Sequence, residues 1–294
     1  MPLPIRTPIG VLNNVVVLRP LGGLGNQLFI WAAGLVVAQK TQASLVLVSD
    51  WYKEFRHREL ELFSFDSGLK SPRVHGLPVI GDRIAQSRYR RLPVFDEIPV
   101  GVDPRFPGTS APVFLRGHFQ SRAYFDSRHR EIFRRIRSVK NPSTWFLGEK
   151  KRLQEIGPHT SVHVRHGDYL THPQLGVLPP AYYLRGIREL GRISGAELPL
   201  VLHSDSPQSA RKMLAGSGID IIHTVSAPPE VKPVEKLVLA AEGERIIMAN
   251  SSFSWWASEM SDAHYRIAPR PWFFDKTLDT SALESAAWTF VPSW

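Results

Sequence analysis

No cysteine occurs anywhere in the chain. Disulfides, cysteine-ligated zinc and thiol catalysis are therefore excluded, and the absence fits a reducing compartment. Long hydrophobic runs are missing as well. The longest, residues 28–38, falls far short of the roughly 20 apolar residues that span a bilayer. The opening MPLPIRTPIG lacks the apolar stretch of a secretory signal. Together these absences lead us to expect a soluble, cytoplasmic protein. Several catalytic signatures are also missing: no Asp-x-Asp clamp, no H-E-x-x-H zinc helix and no G-x-S-x-G nucleophile elbow. The eleven His show no metal-ligand spacing, so no metal is expected. Any leaving-group charge then falls to arginine and to helix termini.

What is present is a 294-residue chain with 43% hydrophobic content, enough for one large domain or two ordinary ones. Its net charge of +9 favours anionic partners: nucleic acid, a membrane surface or a phosphorylated substrate. The densest basic cluster is Arg128, Arg130, Arg134, Arg135, Arg137 and Lys140, with Ile132, Phe133 and Ile136 between. That spacing reads as an amphipathic helix with a solvated basic face, and a peripheral contact with anionic lipid, as at an inner membrane, is a variant of it. No interleaving of aromatic and basic residues appears, so nucleic acid is not an expected partner.

Along the chain, Val15-Val16-Val17-Leu18-Arg19 suits a buried strand, 22–27 a glycine turn, 28–39 a helix and 44–48 a second strand. Strand, turn, helix, strand is a βαβ unit and implies a parallel sheet. Residues 70–112 are rich in Pro and Gly and read as excursions, 113–116 as a strand and 122–137 as a helix. Asn141-Pro142 marks a boundary, which divides the chain into domains at 1–142 and 143–294. The second half alternates again, with strands at 161–165, 198–203, 219–222 and 245–248. Its helices are expected at 180–193, 207–214, 234–242 and 254–261. The fold class expected is α/β, with two Rossmann-like domains facing across a cleft.

Four stretches carry candidate chemistry. Gly23, Gly25, Asn26 and Gln27 sit where a phosphate loop would lie, yet neither the dinucleotide fingerprint nor the P-loop is met. A tight strand-to-helix turn without a ligand explains the same glycines. His163-Val164-Arg165 ends a strand, where open α/β sheets place ligands, and an arginine there can grip a pyrophosphate. An Arg–Asp pair bracing the loop through Asp168, with His163 satisfied in the core, explains the same residues. Ser204 and Asp205 can contact a ribose or simply cap the next helix. Asn250, Ser251, Ser252, Phe253 and Ser254 open a helix and offer amide and hydroxyl donors to an anion, or serve only as a cap.

In order along the chain stand GGLGNQLF at 22–29, LELFSFD at 60–66, GHFQSRAYF at 117–125, HVRHGDY at 163–169, HSDSP at 203–207 and MANSSFSWWAS at 248–258. With these motifs in this order the chain resembles glycosyltransferase family 11, the α-1,2-fucosyltransferases. HVRHGDY and NSSFSWW are specific, whereas GGLGNQ is shared more widely among fucosyltransferases. The resemblance implies a GT-B-like fold, GDP-β-L-fucose as donor, inversion at the anomeric carbon, a galactose hydroxyl as acceptor and no metal. It places Arg165 on the donor pyrophosphate, supported by Asn250, Ser252 and Ser254, with Ser204 and Asp205 nearer the nucleoside. His118, Gln120, Tyr169 and Trp255 are the candidates for contact with an oligosaccharide or glycolipid-linked glycan. The second Arg usual in the HVRHGDY motif is His166 here, and Lys236, beside Glu235, stands where an acidic residue is expected.

The expected reaction is a single displacement in which Arg165 and the helix start at Ser252 and Ser254 stabilise the departing GDP. Asp168 is the nearest carboxylate to act as base, or it orients Arg165 instead. Asn26 is expected to position donor or acceptor. Other fucosyl linkages (α-1,6 or protein O-fucosylation) and a catalytically impaired GDP-sugar- or glycan-binding protein remain as alternatives.

Overall fold

A computed structural model describes residues 14–48, 59–67, 91–98 and 101–294. These fall into two compact units. One takes in described residues up to Phe63 and from Ser67 to Ile132; the other is Ser64–Asp66 with Phe133–Trp294. The division lies ten residues before the Asn141-Pro142 boundary that the sequence suggests, inside a helix. Much of the Pro- and Gly-rich stretch 70–112 lies outside the described residues.

In the first unit, β1 (Val15–Leu18) is buried along its whole length, as its unbroken valine run requires in a parallel sheet. It leads through the glycine turn into α1 (Leu24–Lys40), which begins earlier than expected and takes in Gly25. From there the chain returns as β2 (Ser44–Leu47). β3 (Val94–Asp96) and β4 (Val113–Arg116) complete a wholly parallel sheet in the order β2-β1-β4-β3. β3 is a strand within the stretch read as an excursion. The helix expected over 122–137 is instead two 3₁₀ turns, Arg122–Tyr124 and Asp126–Arg128, followed by α2 (His129–Arg137). α2 buries Ile132 and Ile136 and exposes Arg130, Arg134 and Arg137, so its basic face is solvated as expected.

After the end of α2, the second unit continues with α3 (Thr144–Ile156), which the sequence reading leaves unassigned. Its cap, Ser143, is held from behind. The Ser143 amide and hydroxyl donate to the two carboxylate oxygens of buried Glu235 at 2.8 and 2.7 Å, while Ser143 Oγ accepts from Phe146 N. The carboxylate beside Lys236 is thus engaged in helix capping.

Then come β5 (Thr160–Val164), α4 (Pro180–Ser194), β6 (Leu200–Ser204), α5 (Pro207–Ala215) and β7 (His223–Val225). After these follow α6 (Pro233–Ala240), β8 (Arg245–Ile247), α7 (Ser252–Met260), β9 (Tyr265–Arg270) and β10 (Thr289–Pro292). α4 shows the local logic: Pro180 opens it, buried Tyr182, Gly186 and Leu190 recur every fourth residue, and left-handed Gly195 ends it. β7 lies later than the expected 219–222, because buried Ile219 and Ile221 pack into the core as an extended connection.

All six strands run parallel in the order β10-β9-β8-β5-β6-β7. The chain steps outward from β5 to β7, then crosses back to lay β8 on the other side of β5. Connections from β5 and β8 leave in opposite directions, and open α/β sheets bind ligands at the crevice this creates. Among the described residues no helix is long and apolar enough to cross a membrane.

His163 fastens this crevice from below. Its Nδ1 lies 2.7 Å from Ser254 Oγ and its Nε2 3.0 Å from Ala240 O. A carbonyl only accepts, so Nε2 carries the proton and Nδ1 accepts from the Ser254 hydroxyl, which in turn accepts from Ala249 N at 3.0 Å. Burial holds the imidazole down to about 4 from its ordinary 6.5. The unfolded chain therefore binds a proton that the folded chain refuses between these two values. Stability is expected to be full above pH 6.5 and to fall by about 3 kcal/mol as pH drops towards 4. Buried His203, pushed the same way by burial, adds to the loss. Urea unfolding at stepped pH checks this, and a midpoint that stays flat from pH 7 to 4.5 would contradict it.

Candidate active site

At the carboxyl end of β5, Arg165 projects from the strand with its side chain 21% exposed. Its Nη1 pairs with Asp205 Oδ2 at 2.7 Å, its Nη2 with Asp168 Oδ1, and its guanidinium lies 5.3 Å from the centre of the Tyr169 ring. Asp205 follows β6 and does two jobs, since its Oδ1 also accepts from the His166 amide at 3.0 Å. The chain can wrap this closely only because residue 167 is glycine. Gly167 has φ +29, and a Cβ there would stand 2.2 Å from Asp205 Oδ2. The brace considered for this loop is therefore real, and it holds the guanidinium at the sheet edge.

Beyond β8, Asn250 is fully buried and its Nδ2 donates to the carbonyls of Leu175 and Gly176 at 3.0 and 2.9 Å. Ser251 caps α7, accepting from Ser254 N at 3.1 Å. The amides of Ser252 and Phe253, both part-exposed, precede the first intrahelical bond and stand at the positive end of the helix. Tyr169 ties the two strand ends together by donating from its hydroxyl to Asn250 O at 2.8 Å. Among the described residues, three buried polar atoms here have no hydrogen-bond partner: Arg165 Nε, His166 Nδ1 and Asn250 Oδ1. Burial lowers the affinity of His166 for a proton, opposed by the charge of Asp205, so its imidazole is neutral at pH 7. No group of three or more metal-ligating side chains is found among the described residues.

In the first unit β1 and β4 are neighbours. Asn26 Oδ1 accepts from Gln120 Nε2 at 3.0 Å, which joins the GGLGNQ and GHFQS motifs. His118 is exposed beside them, its amide donating to Glu97 Oε2 at 2.7 Å. The left-handed residue of the turn is Gly22, while Gly23 is extended at the helix cap and Gly25 lies in the helix.

Several residues expected to touch ligands are used by the fold instead. Gln27 is fully buried, with Nε2 donating to Gly22 O and Glu59 O and Oε1 accepting from Glu61 N at 2.8 Å. It fastens the LELFSFD segment and has no atom left for a donor sugar. His163 and Ser254 satisfy one another. Ser204 Oγ accepts from Ser206 N at 3.0 Å, a local turn contact. The Tyr169 ring lies beside Arg165 and its hydroxyl proton is committed to Asn250 O. Trp255 is buried, donates Nε1 to Leu283 O at 2.8 Å and packs on Trp256 and Trp288. In contrast, Gly167 and His166 belong to the site more closely than their composition suggests. The glycine of HVRHGDY, immediately before an acidic residue, is the one local signal of the wrap.

A Gly167→Ala substitution is expected to displace Asp205 and to cost about 1–3 kcal/mol of stability. Urea midpoints of Gly167→Ala in wild-type and Asp205→Gly backgrounds test the cause. The substitution should cost clearly less where the carboxylate is gone, and equal costs would refute the contact.

The profile of Glycosyl transferase family 11 matches residues 100–291, more than half of the chain. An O-antigen biosynthesis glycosyltransferase from Escherichia coli, WbnK, is 26% identical over 86% of this chain and 93% of its own length. An alpha-1,2-colitosyltransferase from Escherichia coli is 26% identical over 91% of this chain and 95% of its own. The crystal structure of fucosyltransferase NodZ from Bradyrhizobium superposes with a TM-score of 0.52 at 17% identity, covering 85% of this chain and 94% of that one. This likeness shows the fold, which is α/β and GT-B-like. With Arg165 and the start of α7 at a sheet switch point, and the family's own pattern running through both, the chain belongs to glycosyl transferase family 11.

Proposed function

We propose that the chain transfers L-fucose from GDP-β-L-fucose, with inversion, to the 2-hydroxyl of a β-galactoside. The observation that carries the donor half is the set of buried, unpartnered polar atoms (Arg165 Nε, His166 Nδ1 and Asn250 Oδ1) around the β5–β8 crevice. Buried polar groups left unmatched are costly, and a ligand that supplies their partners relieves that cost. A pyrophosphate suits the guanidinium and the amides of Ser252 and Phe253, because each meets negative charge as it develops on the leaving GDP. Asp168, at 40% side-chain exposure the looser of the two carboxylates on Arg165, is the contact the pyrophosphate replaces. In this reading Asp168 positions Arg165 before the donor arrives, and Asp205 keeps it in place afterwards. No single base is needed where bond breaking runs ahead of attack.

Metal independence is part of the same proposal. Its support is the missing Asp-x-Asp and the want of a ligand cluster among the described residues. Asn26, Gln120 and His118 are assigned to the acceptor. The exposed arginines of α2 are the part of the chain suited to peripheral contact with anionic lipid. A colitosyl donor is the second reading, favoured by the relative whose name states that transfer and which aligns with 91% of this chain.

Arg165→Ala is expected to lower kcat/KM with GDP-fucose by about 10²–10³, equivalent to roughly 2–4 kcal/mol. Turnover near wild type would remove Arg165 from the donor site. A donor screen with lactose, reading released nucleotide from GDP-fucose, GDP-colitose, GDP-mannose and UDP-sugars, separates the readings. Linkage analysis of the product then distinguishes α-1,2 from α-1,6 transfer. GDP binding without release from any donor would leave only a binding protein.

A further inference from the structure

The connection from β9 to β10 builds an open cavity of about 540 Å³ on the carboxyl edge of the second unit's sheet. Arg270, Asp275, Lys276, Thr277, Thr280 and Glu284 line it. Its walls are built rather than loose. Arg270, the last residue of β9, pairs with Glu284 at 3.1 and 2.5 Å and lies 3.6 Å over the Phe290 ring. Asp275 Oδ1 accepts from the amide and hydroxyl of Thr277 at 2.9 and 2.7 Å. With Arg270 and Lys276 set against Asp275, Asp279 and Glu284, the lining nearly balances in charge. It therefore has little attraction for a phosphate, yet it alternates donors and acceptors densely. That is the surface a neutral polyhydroxyl ligand matches.

Beside the cavity stands an aromatic ring with no interior role. Phe274 is 59% exposed, edge-on to exposed Trp294 at 5.4 Å between centroids. It is nonetheless held firmly. Phe274 N donates to Leu175 O at 3.2 Å and Asp275 N to Gln174 O at 2.9 Å. Gly176, at φ +72, makes room for it, since a Cβ there would lie 2.7 Å from Phe274 Cβ and 2.6 Å from Trp294. The Leu175 and Gly176 carbonyls are the ones Asn250 holds. The ring is thus anchored directly to the wall of the β5–β8 crevice. β9 lies two strands from β5, which puts the cavity mouth roughly 10 Å along the same edge.

We propose that the cavity and the Phe274 ring form a subsite for neutral sugar rings of the acceptor glycan, beyond the residue that receives the transferred sugar. The inference rests on the reading that the acceptor is a glycan. Exposed aromatic faces stack on the apolar C–H faces of pyranose rings, while the cavity's carboxylates, hydroxyls and lysine bond the ring hydroxyls. A ring fixed before binding loses little freedom when the sugar arrives.

The test is calorimetric titration of the full chain with a β-galactosyl-terminated tetrasaccharide, and separately with GDP. Phe274→Ala and Lys276→Ala should each weaken tetrasaccharide binding roughly five- to tenfold, with the GDP affinity serving as the check on fold and donor site. Phe274→Trp should restore binding, which a purely structural role for the ring would not require. Tetrasaccharide affinity unmoved in both alanine variants overturns the proposal. A parallel loss of GDP affinity also overturns it, because the cavity would then belong to the donor site. A wild-type chain that binds the tetrasaccharide with this sensitivity but not GDP would sustain the subsite and sink the donor assignment instead.

Discussion

One buried imidazole governs the geometry of the second unit. His163 reaches from β5 to the end of α6 through Ala240 O and to the start of α7 through Ser254 Oγ. Because Ser254 Oγ also accepts from Ala249 N, the same hydroxyl fixes the chain leaving β8. Three elements that are distant in sequence thus meet on two ring nitrogens. The bonds demand one neutral tautomer, and burial supplies it. If the ring turned or gained a proton, the strand end bearing Arg165 and the helix start at Ser252 would lose their common anchor.

Above that anchor the site is arranged around a charge that is answered from both sides. Arg165 meets Asp168 and Asp205, so the guanidinium is already neutralised, and it lies 5.3 Å from the centre of the Tyr169 ring. The two carboxylates differ in how they are held. Asp205 is locked by the His166 amide and by the bare backbone of Gly167, whereas Asp168 is more open to solvent. A group competing for Arg165 therefore meets one yielding partner and one fixed one. His166 adds an unpartnered ring nitrogen beside the guanidinium, and the amides of Ser252 and Phe253 stand at the positive end of α7.

The aromatic motif after β8 has a different physical meaning from the one its chemistry first suggests. Beyond its first turn, α7 is buried on every side from Ser254 to Met260. A helix so enclosed needs large side chains to fill space and short polar ones to satisfy its own ends. Trp255 bonds Leu283 O and packs edge-on within a cluster reaching Trp288, and Ser251 closes the first turn. Rigid packing of α7 is what aims its amino end at the crevice. The geometry of the crevice thus rests on residues enclosed in the fold.

The sequence by itself determined the alternation of strands and helices, the parallel sheets and the placing of Arg165 at a strand end. Each follows from local rules: β-branched runs, glycine turns and proline at helix starts act within a few residues. It also nominated Arg165 and the helix start after β8 as candidate anion-binding groups. Only the tertiary structure decided that Gln27, His163, Ser254, Tyr169 and Trp255 serve the fold, because burial and hydrogen-bond partners are set by segments 28 to 91 residues away. Strand order, and with it the switch between β5 and β8, is likewise a long-range property that no local pattern encodes. The same holds for the cavity after β9, whose walls come from one loop but whose link to Asn250 runs through the carbonyl of Leu175. Local sequence could nominate the polar groups; packing chose which of them remain available to a ligand.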